Sequence, residues 1–121
     1  SMILITHDLG VVAETCQRVA IMYAGKIVET GSVEDIFYRA KHPYTQGLLR
    51  SIPENDPGKK ELRLRSIPGT VPSLNNLPPG CRFQPRCFAA SSNCRDKTPV
   101  ISSFSATHAV SCFHADRNDN R

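Results

Sequence analysis

With 121 residues and a formal net charge of +4, the chain suits one small domain and is only mildly basic. Hydrophobic residues make up 40% and Trp is absent. No apolar run approaches the roughly 20 residues a membrane-spanning helix needs. The densest basic stretch, Lys59, Lys60, Arg63 and Arg65, contains Glu61 and no aromatic residue, which argues for a solvated face rather than a nucleic-acid surface. No basic segment followed by an apolar one and a cleavage site marks export, so the reducing cytosol is the expected compartment and structural disulfides are disfavoured.

In chain order, "MILITH" is an almost unbroken apolar run that predicts a short strand buried on both faces, as in a parallel sheet. Asp8 is placed to cap a helix whose apolar face carries Leu9, Val12, Ala13 and Cys16, with Cys16 read as a small buried hydrophobe. Two β-rich runs, Val19 to Tyr23 and Lys26 to Glu29, flank Ala24-Gly25 and predict a tight hairpin. "GSVEDIFYRA" opens with a capping box, Ser32 to Asp35, and carries the apolar stripe Val33, Ile36, Phe37 and Ala40. Pro43 ends that helix and starts another, "PYTQGLLRSI", expected to bury Tyr44, Leu48, Leu49 and Ile52. "HPYT" is assigned to packing between these two helices, with a dimer contact as the less favoured option.

From Pro53 to Pro79, which holds six of the nine prolines, regular structure is expected to thin out, apart from a short strand in "KELRLRSI". The divisions are therefore residues 1–53, a Pro-rich linker over 54–79, and a tail over 80–121. A structureless stretch of this length needs a pin other than a core. The tail supplies one: Cys81, Cys87, Cys94 and Cys112 in the pattern C-x5-C-x6-C-x17-C. Four thiolates match the ligand count of tetrahedral zinc or of an iron–sulfur cluster. Structural zinc prefers knuckles with two to four intervening residues, whereas wider gaps suit ligands reaching the separate corners of a cubane. His108 and His114 flank Cys112 and could substitute as ligands, but read better as ordinary surface residues or as donors to the ligands.

A His at the carboxyl end of a parallel strand, here His7 in "ITHD", faces the crevice where phosphates bind in open α/β sheets. The plainer reading is a strand-end residue capping a neighbouring backbone group. The wider stretch "ILITHDLGVVAETCQRVAIMYAGKIVETGSVEDIF" resembles the switch-histidine region of ABC-transporter nucleotide-binding domains. "HPYTQGLL", "IPGTVPSL" and "GCRFQPRC" resemble the C-terminal extension of one branch, the ATP-binding subunits of oligopeptide, dipeptide and nickel importers.

The resemblance implies an α+β fold: the truncated end of an ABC-type nucleotide-binding domain (strand, helix, hairpin, two helices) followed by a loop-rich, cysteine-ligated extension. It implies that His7 is the switch histidine that meets the γ-phosphate of ATP in the intact protein. It also implies a [4Fe–4S] cluster on Cys81, Cys87, Cys94 and Cys112, with zinc as the alternative metal. Phe88 stands where the branch more usually has Pro. Implied partners are transmembrane permease subunits and a second ATP-binding subunit, at the cytoplasmic face of the cell membrane.

No G-x-x-x-x-G-K-[ST] loop is present to cradle phosphates, nor are the family's signature motif and magnesium-holding acidic pair. ATP and Mg²⁺ thus belong to the intact parent, and this chain alone is expected to be inactive as an ATPase. Residues 3–6, without sheet neighbours, are expected to pair with a second copy or a swapped partner, or to be disordered. The alternative from another class is a stand-alone zinc-stabilised interaction module, perhaps one that binds nucleic acid.

Overall fold

The computed structural model describes residues 1–52 and 66–117. The basic stretch from Lys59 to Arg65, and all but the last two residues of the expected "KELRLRSI" strand, lie outside them. The described chain is α+β, with a four-stranded antiparallel sheet and short helices.

Helix α1 spans Leu9–Thr15. The Asp8 carboxylate accepts from the amides of Gly10 (2.9 Å) and Val11 (3.2 Å), meeting two of the donors a helix start leaves unpaired. Only Val12 of this helix is buried, and Cys16 ends it half-buried. Strands β1 (Arg18–Tyr23) and β2 (Lys26–Ser32) form the expected hairpin. Its turn residues Ala24 and Gly25 have φ of 47° and 81°, the pair of positive values that suits strand twist.

Helix α2 (Val33–Arg39) starts with the full capping box between Ser32 and Asp35, and its Ile36 is wholly buried. Helix α3 (Pro43–Arg50) is capped by His42, whose Nδ1 accepts the Tyr44 amide at 3.0 Å. The tail adds helix α4 (Ser92–Asp96) and strands β3 (Ser102–Ser103) and β4 (Ala109–Val110). Strand order is β1-β2-β4-β3, so the tail extends the hairpin sheet across β2.

The core gathers Ile21 and Tyr23 of β1, Val28 of β2, Ile36 of α2 and Phe83 of the tail. Phe83 meets Tyr23 edge-on with ring centroids 5.0 Å apart, and Tyr44 packs against both rings at 4.7 and 5.4 Å. Such aromatic contacts add about 1 kcal/mol each beyond burial.

Two expectations are corrected. The "MILITH" segment is not a strand, and Met2, Ile3 and Ile5 lie open to solvent. A buried parallel strand needs hydrogen-bonding neighbours on both sides, and no described segment pairs with this one. In α3 the buried residues are Pro43, Thr45 and Gln46, while Tyr44, Leu48 and Leu49 are half-buried and Ile52 is exposed. The helix is anchored by its first turn, where Gln46 Nε2 donates to the Ala40 carbonyl at 2.9 Å, so burial follows that end rather than an apolar stripe.

Candidate cofactor site: a four-cysteine cavity

Gly80 takes φ of 71° and runs directly against the backbone of Cys94, where a Cβ would collide with the Cys94 carbonyl oxygen. Only glycine fits there. The close approach lets the Cys81 amide donate to that carbonyl at 2.8 Å, clamping the start of the cysteine run to α4. A tight turn through Gln84–Arg86 follows, in which the Cys87 amide donates to the Gln84 carbonyl at 3.3 Å. Cys112 arrives from the other direction. The Ser111 amide donates to the Val28 carbonyl at 2.8 Å and its hydroxyl to the Pro99 carbonyl at 2.8 Å, fixing the residue before it.

The result is one cavity bordered by Cys81, Cys87, Cys94 and Cys112 together with His42 and His114. All the cysteines are free thiols, with Cys94 buried and the other three of this set half-buried. Three of the sulfurs face backbone amides two or three residues further along. Phe83 and Gln84 donate to Cys81, Ala89 donates to Cys87, and His114 donates to Cys112 at 3.4 Å. Burial nevertheless pushes the Cys87 and Cys112 thiols up to about 11, and their sulfur neighbours add to the rise; Cys81 is raised for the same reasons. Among the described residues, no group of three or more His, Cys, Asp and Glu side chains is arranged to hold a metal ion. The expected ligand set therefore shares a cavity without converging as ligands on a metal.

"HPY" does more than break and restart a helix. His42 is buried, borders the cavity, and its ring lies 5.7 Å from that of Phe83. Burial drops its pKa to about 4, so the ring stays neutral. With Nδ1 accepting from Tyr44, its proton resides on Nε2.

The two tail histidines part company. His108, expected at the surface, is buried, and its Nε2 lies 2.6 Å from Glu29 Oε1. Glu29 is completely buried in β2 and also accepts the Lys41 amide (2.7 Å) and the His42 amide (3.1 Å). Sequence reasoning missed this junction, because a glutamate at the end of a β-rich run looks like an outward-facing strand residue. Next to it, Thr107 Oγ1 donates to Asp35 Oδ2 at 2.7 Å. His114 instead stands beside the cysteines, with its Nε2 3.8 Å from Cys94 Sγ. His7 is exposed, and among the described residues nothing hydrogen-bonds its ring.

The chain belongs to the family described as oligopeptide/dipeptide transporter, C-terminal region, which matches residues 28–94. Among its relatives is a probable peptide ABC transporter ATP-binding protein, y4tR of Sinorhizobium fredii, 53% identical over 112 residues, covering 93% of this chain and 33% of the relative. The oligopeptide transport ATP-binding protein AppD of Bacillus subtilis is 49% identical over 113 residues, covering 93% of this chain and 34% of its own. The dipeptide transport ATP-binding protein DppD of Haemophilus influenzae is 54% identical over 101 residues, covering 84% and 30%. The chain thus spans about a third of the length of these curated relatives. The membership favours the transporter reading over a stand-alone zinc module. Among the described residues, no helix is long and apolar enough to cross a membrane.

Proposed function

We propose that this chain is part of the ATP-binding subunit of a peptide importer, and that its four-cysteine cavity is a cofactor site. In the intact subunit, ATP closure of paired copies at the cytoplasmic membrane face would drive the permease partners, with His7 reading the γ-phosphate. Support comes from the family membership and from the peptide-transport names of the relatives. The exposed aliphatic residues Ile3 and Ile5 favour pairing with a neighbouring strand, or with a second copy when this chain stands alone.

One observation carries the cofactor reading: four cysteines from two separate stretches border a single cavity, three of them with backbone N–H groups already turned onto sulfur. Such N–H to sulfur bonds stabilise thiolates, and hydrogen bonds of this kind tune iron–sulfur centres. The wide cysteine spacing favours a [4Fe–4S] cluster over zinc. A bound cluster would supply a covalent tie between Cys81, Cys87, Cys94 and Cys112, substituting for the apolar core the tail lacks.

The test is anaerobic reconstitution of the chain with ferrous iron and sulfide, followed by a visible spectrum and metal analysis. Broad near-visible absorbance with about four irons per chain is expected, the stoichiometry of a cubane. Zinc at one per chain and no colour would shift the reading to zinc. Uptake of neither metal by the fully reduced chain would remove it.

A further inference from the structure

We propose that a second cavity, between α3 and the segment 66–69, binds the carboxyl-terminal end of a short apolar peptide. The choice of a peptide rests on the importer reading above, and the rest stands on the cavity itself. Its volume is about 380 Å³, within the roughly 300–1,000 Å³ of small-molecule sites. Pro43, Ile67, Pro68, Phe83 and Phe88 give it apolar walls, and two guanidiniums, Arg50 and Arg86, line it as well.

Specific contacts build these walls. A Cβ at Gly47 would lie 2.8 Å from the Ile67 side chain, so glycine there lets Ile67 seat against α3. Arg86 holds the same segment. Its Nε donates to the Pro68 carbonyl at 2.9 Å, one Nη to the Ile67 carbonyl at 3.3 Å, and the other Nη to the Tyr23 hydroxyl at 3.3 Å. Those bonds use three of the five guanidinium hydrogens and leave one N–H on each terminal nitrogen. The group is thus oriented before a ligand arrives, which favours binding.

Charge decides the ligand class. No aspartate or glutamate lines the cavity, and among the described residues neither Arg50 nor Arg86 has a carboxylate partner; the ion pairs there go to Arg39 and His108. Two like charges beside apolar walls favour a ligand with one negative group and an apolar body. Such walls disfavour a strongly hydrated phosphate. The Arg50 guanidinium carbon lies 5.5 Å from the Phe88 ring centre, so cation and apolar wall form one surface. A terminal carboxylate would meet the guanidiniums while the last side chain of the peptide fills the apolar part. Cys87 borders this cavity and the cysteine cavity alike, so an occupant here shields its thiol.

The experiment titrates the whole chain, kept reduced, with an N-acetylated tripeptide of two alanines and a carboxyl-terminal phenylalanine, followed by calorimetry. The free acid should bind, and its carboxyl-terminal amide should bind about 10-fold more weakly through loss of the charge-assisted bonds. Glycine in place of the phenylalanine should cost about 10-fold or more through lost apolar burial. Arg50→Gln should weaken the free acid about 10-fold and Phe88→Ala several-fold. Both positions are exposed, so thermal unfolding should stay parental. Saturating peptide should slow alkylation of Cys87 by iodoacetamide, read by mass spectrometry. Equal binding of acid and amide would overturn the carboxylate role. Parental affinity in both variants, or unslowed Cys87 alkylation, would overturn the location. Tighter binding of a medium-chain fatty carboxylate would overturn the peptide as occupant, and no binding by any probe would remove the site. Failure of the importer reading would show differently, as an intact transporter whose ATP turnover ignores peptide.

Discussion

The hairpin-and-helix region, residues 8–50, and the cysteine tail, residues 80–117, are held by different means. The first has local devices at nearly every junction: Asp8 on α1, the Ala24-Gly25 turn, the Ser32–Asp35 box and His42 on α3. It also supplies four of the five core residues. The tail has strands of two residues each and adds one side chain, Phe83, to that cluster, besides burying Val110 and Cys94. It gains order by docking. Phe83 enters the aromatic cluster, Thr107 and His108 reach Asp35 and Glu29, and β4 pairs with β2. A segment too poor in apolar residues for its own core borrows a neighbour's.

The largest effect that tests this contrast is Phe83→Ala. Truncating a buried aromatic ring costs about 4 kcal/mol. Both regions should loosen together, because the ring belongs to the shared core and also adjoins the cysteine cavity. Hydrogen exchange in β1 and β2 that stayed at the parental level while the tail melted would show that the two regions are independent.

Glu29→Ala comes next. It leaves the Lys41 and His42 amides without their carboxylate and strands His108 in a buried site, for about 3 kcal/mol. Urea midpoints measure the loss, and release of β4 should accompany it.

Acid supplies the most graded effect, and at mild pH the smallest. His42 titrates near 4 when folded, against an ordinary 6.5, because burial disfavours its charged form. Below pH 6.5 the unfolded chain takes up a proton that the folded chain refuses. Stability is therefore full above pH 6.5 and declines until about pH 4, by about 2 kcal/mol at pH 5. In Asp35, burial pushes the carboxyl up, but hydrogen bonds from Thr107, Ser32 and Arg39 together outweigh it and hold it well below its ordinary 3.8. Its contribution is present above pH 3.8 and is lost only in stronger acid, where release of Thr107 should follow. His42→Asn, which keeps an N-cap acceptor, should flatten the upper window and leave the lower one; an unchanged upper window would assign it to another group.

Much of the local structure was legible before any coordinates. The hairpin could be read because Ala24-Gly25 separates two β-rich runs, and the helix starts because aspartate, serine and proline act on backbone groups within three residues. The cysteine spacing brought four thiols into view together, and in the structure all four border one cavity. Less visible was what each helix buries: α3 looked like an apolar stripe, yet its first turn is what the fold encloses. His108 and His114 looked alike beside Cys112, and only their separate neighbours, Glu29 and Ser91, distinguish them.

Sequence alone determined the caps, the turn, the family and the number of candidate thiol ligands, since each depends on residues close in the chain or on an ordered set of motifs. Tertiary structure decided that Glu29 is buried, that Phe83 completes a core begun sixty residues earlier, and that His42 borders the cysteines. Those outcomes depend on contacts between distant segments, whose free energy comes from burial and from pairing polar groups removed from water. No local pattern encodes which segments will meet.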